Sequence, residues 1–326
     1  MCTAISYKTN DHYFGRNLDL EYSYNETVTI TPRNYVFEFR KTGKMKTHFS
    51  MIGMAYVAAG YPLYYDATNE KGLSIAALNF SQNADYKPFC ETKDNITPFE
   101  LIPWILGQCA TVSEAAILLE RINLFNENFS DELPLSPLHW IIADKEHSIT
   151  LESVNEGIKV YDNSVGVLTN NPTFDCQLFN LNNYMSLTNG TPQNTFAIDN
   201  NLQLKTYSRG MGAMGLPGDY SSMSRFVRAT FVKMNSVSGN SENESVSQFF
   251  HILQSVAMPR GCVKVGEENY AITIYSSCCN TDSGIYYYTT YDNNQINAVD
   301  MHKENLNGNS LIAYPLRTQQ AINYQN

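Results

Sequence analysis

The sequence predicts an α+β fold, and three observations carry that expectation. Short runs rich in β-branched and aromatic residues dominate both ends of the 326-residue chain. Segments with helical periodicity sit between those runs. The order is strands, a helix pair, strands, helices, strands, without the regular strand–helix alternation of a parallel sheet. No repeat and no domain linker interrupts it, so a single domain is expected.

The elements follow in order. Cys2 to Lys8 alternates loosely and is rich in β-formers, Thr9-Asn10-Asp11 has turn composition, and His12 to Arg16 reads as a returning strand. A hairpin centred near residue 10 brings Arg16 and Asn17 back alongside Cys2. Strand-like runs follow at Val28–Thr31, Ser50–Val57, Leu73–Leu78, Leu138–Asp144, Ser148–Val154 and Ile158–Tyr161, then at Tyr270–Ser277, Gly284–Tyr291 and Gln295–Asp300. Pro98 to Cys109 looks helical, with Pro103 either kinking it or lying in its first turns. Thr111-Val112-Ser113-Glu114 has the capping-box pattern and leads into Ala115–Ile122. Ser221–Met234 and Ser245–Val256 are amphipathic, and the polar stretch Ser236–Ser247 reads as a loop.

Composition narrows the function. Hydrophobic residues make up 43% of the chain and aromatic residues 12%, ample for a packed core. No run reaches 18 apolar residues, so no transmembrane helix is expected. His12, Arg16 and Asp19 interrupt the N-terminal stretch before a signal peptide can form. Seven cysteines without an export signal fit reduced thiols in a cytoplasm. Cys278 and Cys279 are too close to bridge each other and read as buried strand residues. The net charge of −10 argues against nucleic acid as a partner, and an anionic substrate would have to be met by individual arginines.

Two apparent motifs fail on context. Gly210-Met211-Gly212-Ala213-Met214-Gly215 matches a dinucleotide fingerprint, but Leu216-Pro217-Gly218-Asp219 follows where a helix is required. The six histidines are scattered without metal-ligand spacing, so no metal is expected, and His139 reads as a satisfied core residue.

The chemistry converges on residue 2. Removal of Met1 would leave Cys2 at the N-terminus of a domain spanning 2–326. Its thiol is a good nucleophile, and its α-amine, with a reference pKa of roughly 7.7–8.0, would take a proton at neutral pH within covalent reach. Arg16 and Asp19 lie on an otherwise apolar strand in Phe14-Gly15-Arg16-Asn17-Leu18-Asp19. Alone they would read as a surface ion pair. Beside Cys2, Asp19 can accept from the α-amine and Arg16 can stabilise a thiolate. Asn79 ends an apolar strand, as do Asn170 and Asn171, and amides so placed suit either a turn or an oxyanion hole. Arg225 opens the helix after the glycine-rich loop and faces either solvent or the site.

Together these residues resemble the choloylglycine hydrolase family, in particular its bile salt hydrolases, a family that also contains penicillin V acylases. The resemblance runs from Met1-Cys2-Thr3 to Ile322-Asn323-Tyr324. It includes Asn69-Glu70-Lys71-Gly72-Leu73, Leu138-His139-Trp140, Gly166 to Pro172, Gly215 to Asp219, Ser224-Arg225-Phe226 and Asn294-Gln295-Ile296. It implies a four-layer αββα N-terminal nucleophile fold and hydrolysis of the amide of glycine- or taurine-conjugated bile acids through a Cys2 thioester, without cofactor. It further implies a homotetramer. By the resemblance Arg16 and Arg225 tune the thiol, Asp19 holds the α-amine, and Asn79 and Asn170 stabilise the oxyanion, with Asn171 the weaker choice. Asn79, where similar penicillin V acylases often have Tyr, favours bile salts. Leu18, Ala58, Tyr65, Phe129 and Leu133 are the expected steroid contacts. Arg209, in Ser208-Arg209-Gly210, is the expected contact for a glycine carboxylate. A penicillin V or N-acyl homoserine lactone acylase, and a non-catalytic binding protein on the same fold, remain alternatives.

Overall fold

The computed structural model describes residues 1–196 and 201–326. The chain opens on β1 (Cys2–Lys8) and β2 (His12–Leu20), an antiparallel hairpin in which Cys2 faces Leu18 and Ala4 faces Arg16. This hairpin lies inside a six-stranded antiparallel sheet. Its order is Val167–Leu168, β1, β2, Ile272–Asn280, Ile285–Thr290 and Asn293–Asp300. An eight-stranded antiparallel sheet packs on it, running Gly157–Asp162, Ser148–Val154, Leu138–Ala143, Ser74–Asn79, Tyr61–Asn69, Met51–Ala58, Thr27–Thr31 and Ile312–Pro315.

Among the described residues five helices complete the layers: α1 (Leu101–Leu106), α2 (Val112–Leu119), α3 (Phe174–Asn180), α4 (Ser222–Asn235) and α5 (Glu242–Gln254). Helices α4 and α5 pack on the six-stranded sheet, and α1 packs on the central strands of the eight-stranded one. The result is the expected αββα sandwich. One apolar cluster fills the space between the sheets and under α4 and α5; the second lies under α1 and α2.

This layering determines the character of β2. Seen from a half-buried sheet, a strand should alternate between core and solvent. Here one face meets the second sheet and the other meets α5, so His12 through Asp19 are all buried, Arg16 and Asp19 completely. Gly15 makes the packing possible, because a Cβ there would lie 2.0 Å from the Ser277 carbonyl oxygen.

Several boundaries differ from the expectation. Tyr61–Asn69 is a full strand although Pro62 weakens its signal; the proline sits second, opposite Val57 near the end of the hairpin, where a missing donor is tolerated. Helix α1 is shorter than Pro98 to Cys109, with Pro103 in its first turn. At α2 the Thr111 hydroxyl caps the Glu114 N–H, but the Glu114 carboxylate reaches Ala110 rather than the cap residue. The polar stretch 236–247 is not all loop: α5 begins at Glu242 under a complete Ser241/Glu244 capping box. Helix α3 carried no sequence signal strong enough to anticipate. The segment 210–215 is a short turn with no strand just before it among the described residues, and Cys278 and Cys279 are buried, unbridged strand residues. No helix among the described residues is long and apolar enough to cross a membrane.

Candidate functional site

Pairing in the hairpin fixes which way each side chain points. Cys2, Ala4, Arg16 and Leu18 share the face toward the eight-stranded sheet; Thr3, Asn17 and Asp19 share the face toward the helices. Arg16 crosses the inter-sheet space, and its Nη1 donates to the backbone carbonyls of Tyr65, at 2.9 Å, and Ala77. On the opposite face the Asn17 amide donates to Leu253 in α5 at 2.9 Å.

The thiol of Cys2 is buried, and burial alone pushes its pKa up. The Arg16 guanidinium and the N-terminal ammonium oppose that, with the Asp19 backbone N–H, and the net direction is down despite the Asp19 carboxylate. Arg16 itself stays charged, held by the surrounding negative groups against its own desolvation. Its Nη2 is buried and makes no hydrogen bond.

Asp19 is held from behind. The Thr273 hydroxyl donates to Oδ1 at 2.6 Å, whereas Oδ2 is buried without a partner. Burial raises the pKa of this carboxyl, and Arg225, Thr273, the ammonium and Arg16 pull it back without cancelling the rise. With Met1 present, the terminal ammonium donates to the Asp19 backbone carbonyl at 2.6 Å, and Met1 continues the strand pairing.

Asn170 joins three parts of the chain. Its Oδ1 accepts from the Cys2 backbone N–H at 2.8 Å and from Arg225 Nη2 at 2.7 Å, and its Nδ2 donates to the Asn79 carbonyl at 2.7 Å. Ser222 at the start of α4 accepts from the Asn170 backbone N–H at 2.8 Å. Arg225 is fully buried. It donates to the Cys2 carbonyl, at 2.8 Å to Thr3 Oγ1, and at 3.0 Å to the Tyr220 carbonyl. It therefore faces the site, gripping the backbone of β1 rather than the thiol. Asn79 is exposed at the end of its strand, with its Oδ1 occupied by the Ser81 N–H at 3.1 Å. Asn171 turns away, its amide donating to the Ser81 carbonyl.

Five of the polar residues singled out from the sequence, Arg16, Asp19, Asn79, Asn170 and Arg225, thus gather around Cys2, Asn79 through its backbone carbonyl, and Asn171 does not. The expected substrate contacts divide. Leu18 is buried in the apolar cluster that holds Cys2, and Tyr65 packs against it. Ala58 pairs with Tyr61 at the far end of the hairpin, where the Tyr61 ring meets Phe129 at 5.9 Å. Phe129 also packs edge-on to Phe99 at 5.2 Å, under the Arg40 guanidinium at 5.6 Å. Leu133 closes a tight turn with Ser130 on the same segment. Arg209 is exposed, as is the whole of 201–210.

Sequence reasoning missed two buried partners. Asp66 accepts from Tyr275 at 2.8 Å, Tyr286 at 2.7 Å and Ser277 at 3.3 Å, and it faces the Arg16 charge across the sheets. A carboxylate inside an apolar strand is the same signal as Asp19, hidden here because Pro62 obscures the strand. Thr273 carries no such signal. His139 is a core residue as expected, between Glu152 at 3.1 Å and the Thr169 carbonyl at 3.0 Å. Asn69 caps a turn around Gly72, whose φ of +89° suits glycine. No group of three metal-ligating side chains occurs among the described residues.

Comparison with known proteins gives this geometry a family. The model of linear amide C–N hydrolases, choloylglycine hydrolase family, matches residues 2–314. A bile salt hydrolase/transferase of Lactiplantibacillus plantarum is 59% identical over 319 residues, covering 98% of each chain. One from Clostridium perfringens is 40% identical over 332 residues, covering 100% of each. A crystal structure of a mutant conjugated bile acid hydrolase from Clostridium perfringens superposes with a TM-score of 0.91 at 38% identity over 100% of both chains. A penicillin V acylase from Agrobacterium tumefaciens shares the fold, with a TM-score of 0.73 at 20% identity over 98% of this chain and 94% of its own. The chain belongs to the choloylglycine hydrolase family and is a linear amide C–N hydrolase.

Proposed function

We propose that the protein hydrolyses the amide bond of glycine- or taurine-conjugated bile acids, with Cys2, freed by removal of Met1, as nucleophile. The thiolate attacks the amide carbonyl. The α-amine, once protonated, delivers its proton to the departing glycine or taurine. The cholate acyl group then rests on Cys2 as a thioester, and the neutral α-amine activates the water that releases it. Arg16 stabilises the thiolate, Asp19 holds the α-amine, and Arg225 with Asn170 fixes the strand that carries both groups. Asn79 and Asn170 steady the oxyanion. The observation that carries this reading is a pair of unsatisfied groups, Arg16 Nη2 and Asp19 Oδ2, buried around a thiol whose pKa is lowered. Buried polar atoms without partners are rare and call for a reason.

Leu18, Tyr65, Ala58, Phe129 and Leu133 line the steroid side, and the names of the close relatives support a bile salt as substrate. Glycine conjugates are preferred, with Arg209 pairing their carboxylate. The protein works in the cytoplasm as a homotetramer. Phe179 near the end of α3 and Met185, Tyr207 and Met214 beyond it are exposed, which supports an apolar contact with a second copy. Light scattering after size exclusion checks the assembly.

The test is release of glycine from glycocholate by wild type and Cys2→Ala, with taurocholate, penicillin V and an N-acyl homoserine lactone run in parallel. Bile salt turnover lost in the variant supports the proposal. Faster turnover of penicillin V or the lactone than of either bile salt overturns the substrate, and no turnover of any of them by the processed protein overturns the enzyme mechanism.

A further inference from the structure

We infer that Thr273 is a positioning residue for the reaction, orienting the Asp19 carboxylate so that one oxygen is left for the α-amine. The inference rests on the reading that Asp19 holds that amine, and it adds the group that sets the carboxylate's orientation.

The argument begins with hydrogen-bond direction. A hydroxyl has one proton and rotates to suit its partners. The Met258 backbone N–H donates to Thr273 Oγ1 at 2.8 Å, so the hydroxyl is already an acceptor on that side. Its own proton then points to Asp19 Oδ1, 2.6 Å away. The chain runs one way, from the Met258 amide through Thr273 to Asp19. Oδ1 is thereby committed, and Oδ2, buried and unpartnered, is the oxygen that remains.

The surroundings make this dependence strong. The described structure records no other hydrogen bond to the Asp19 side chain. The charged groups that act on it are Arg225 from α4, Arg16 on its own strand, the terminal ammonium and the Cys2 thiolate. None of these fixes the rotation of the carboxyl plane. The backbone also cooperates: between Thr273 and Tyr275 the pairing with β2 shifts by one residue, so Thr273 faces Asp19 while Tyr275 faces Leu18. A bulge of this kind re-aims a side chain beside a site.

Behind Thr273 lies a cavity of 680 Å³, bounded also by Tyr220, Arg228, Gln254, Met258 and Thr290. Thr273 is part of the wall between that space and Asp19. Its methyl group and hydroxyl thus act together: one keeps solvent from the carboxylate, the other orients it. Valine keeps the shape and the methyl groups but cannot donate. Serine keeps the donor.

The experiment compares Thr273→Val, Thr273→Ser and Asp19→Asn with the processed wild-type enzyme. The readouts are kcat/KM against pH with glycocholate, and melting temperature. A hydrogen bond to a charged group is worth enough that its loss should lower kcat/KM about 10-fold or more. The acid limb of the profile should move up by about one pH unit, because a carboxylate that loses a donor holds its proton more tightly. Thr273→Ser should restore both. A valine variant that folds and keeps the wild-type rate and profile, while Asp19→Asn is inactive, overturns the role of Thr273 alone. An active Asp19→Asn overturns the reading of Asp19 itself. A valine variant that loses rate only in proportion to melting temperature, without a shifted profile, shows a purely structural threonine and overturns the inference.

Discussion

Replacing Arg16 by Met isolates the electrostatic part of the mechanism. The substitution keeps an unbranched side chain between the sheets and removes one buried positive charge. Cys2 and Arg16 lie on one face of the hairpin, two residues apart in register, since their partners are Leu18 and Ala4. Diagonal neighbours of this kind are roughly 7–8 Å apart. At an effective dielectric of about 20, a unit charge at that distance contributes about 2 kcal/mol. Losing that interaction raises the thiol pKa. Burial, the largest influence on Cys2, then acts with less opposition. The assay is alkylation by iodoacetamide against pH, read by mass spectrometry on the N-terminal peptide so that exposed Cys176 and Cys262 do not contribute. The alkylation midpoint should move up in pH. Two carbonyls, of Tyr65 and Ala77, also lose their donor, and Asp66 loses its facing charge, so melting temperature should fall. A folded Arg16→Met protein with an unmoved alkylation midpoint would refute the claim that Arg16 tunes the thiol.

Four further outcomes are expected. Cys2→Ser should fold like the wild type and lose nearly all turnover, as measured by glycine release and melting temperature, because a hydroxyl is a far poorer nucleophile at neutral pH. An N-terminal extension that survives processing should be as damaging, since it converts the α-amine to an amide; intact mass together with activity reports it. Asn79→Ala should lower kcat by about 10²–10³-fold with little change in melting temperature, the usual cost of one oxyanion donor, whereas Asn170→Ala should lower both because it unties Cys2, Arg225 and Asn79. Arg209→Ala should narrow the ratio of kcat/KM for glycocholate over taurocholate through loss of the glycine conjugate, and an unchanged ratio removes Arg209 from the specificity argument.

The hairpin was legible because its signals are local. Turn residues at 9–11 and β-formers on either side fix a register that places Arg16 on the face of Cys2, two residues along. Strand composition likewise located most of both sheets. The order in which strands pair, and which face of β2 meets α5, depends on contacts far apart in sequence and leaves no local trace. That is why Arg16 and Asp19 were recognisable as unusual while their holders were not. Thr273 is one threonine in a strand rich in β-formers, and only the shift in pairing turns it toward Asp19. The polar run at 236–247 misleads for another reason: Ser and Glu favour loops and also cap helices, and Ser241 with Glu244 does the latter.

The knot made by Asn170 and Arg225 has a consequence for synthesis. On the mechanism proposed above the nucleophile is Cys2, and the groups that hold and tune it are spread along the chain to Thr273. At about 5–20 residues per second, roughly 15–55 s separate translation of Cys2 from that of Thr273. Until the strand carrying Thr273 is made, the nascent thiol lacks its complete set of partners. Its reactivity is then that of an ordinary cysteine, with a pKa of about 8.5, mostly protonated in a neutral cell. In the same interval the first residue is accessible to an aminopeptidase, whereas in the completed fold Met1 is paired on both its amine and its carbonyl. Long-range topology thus acts as a timer: the terminus can be trimmed while it is inert, and the thiol becomes reactive when the last strands close around it.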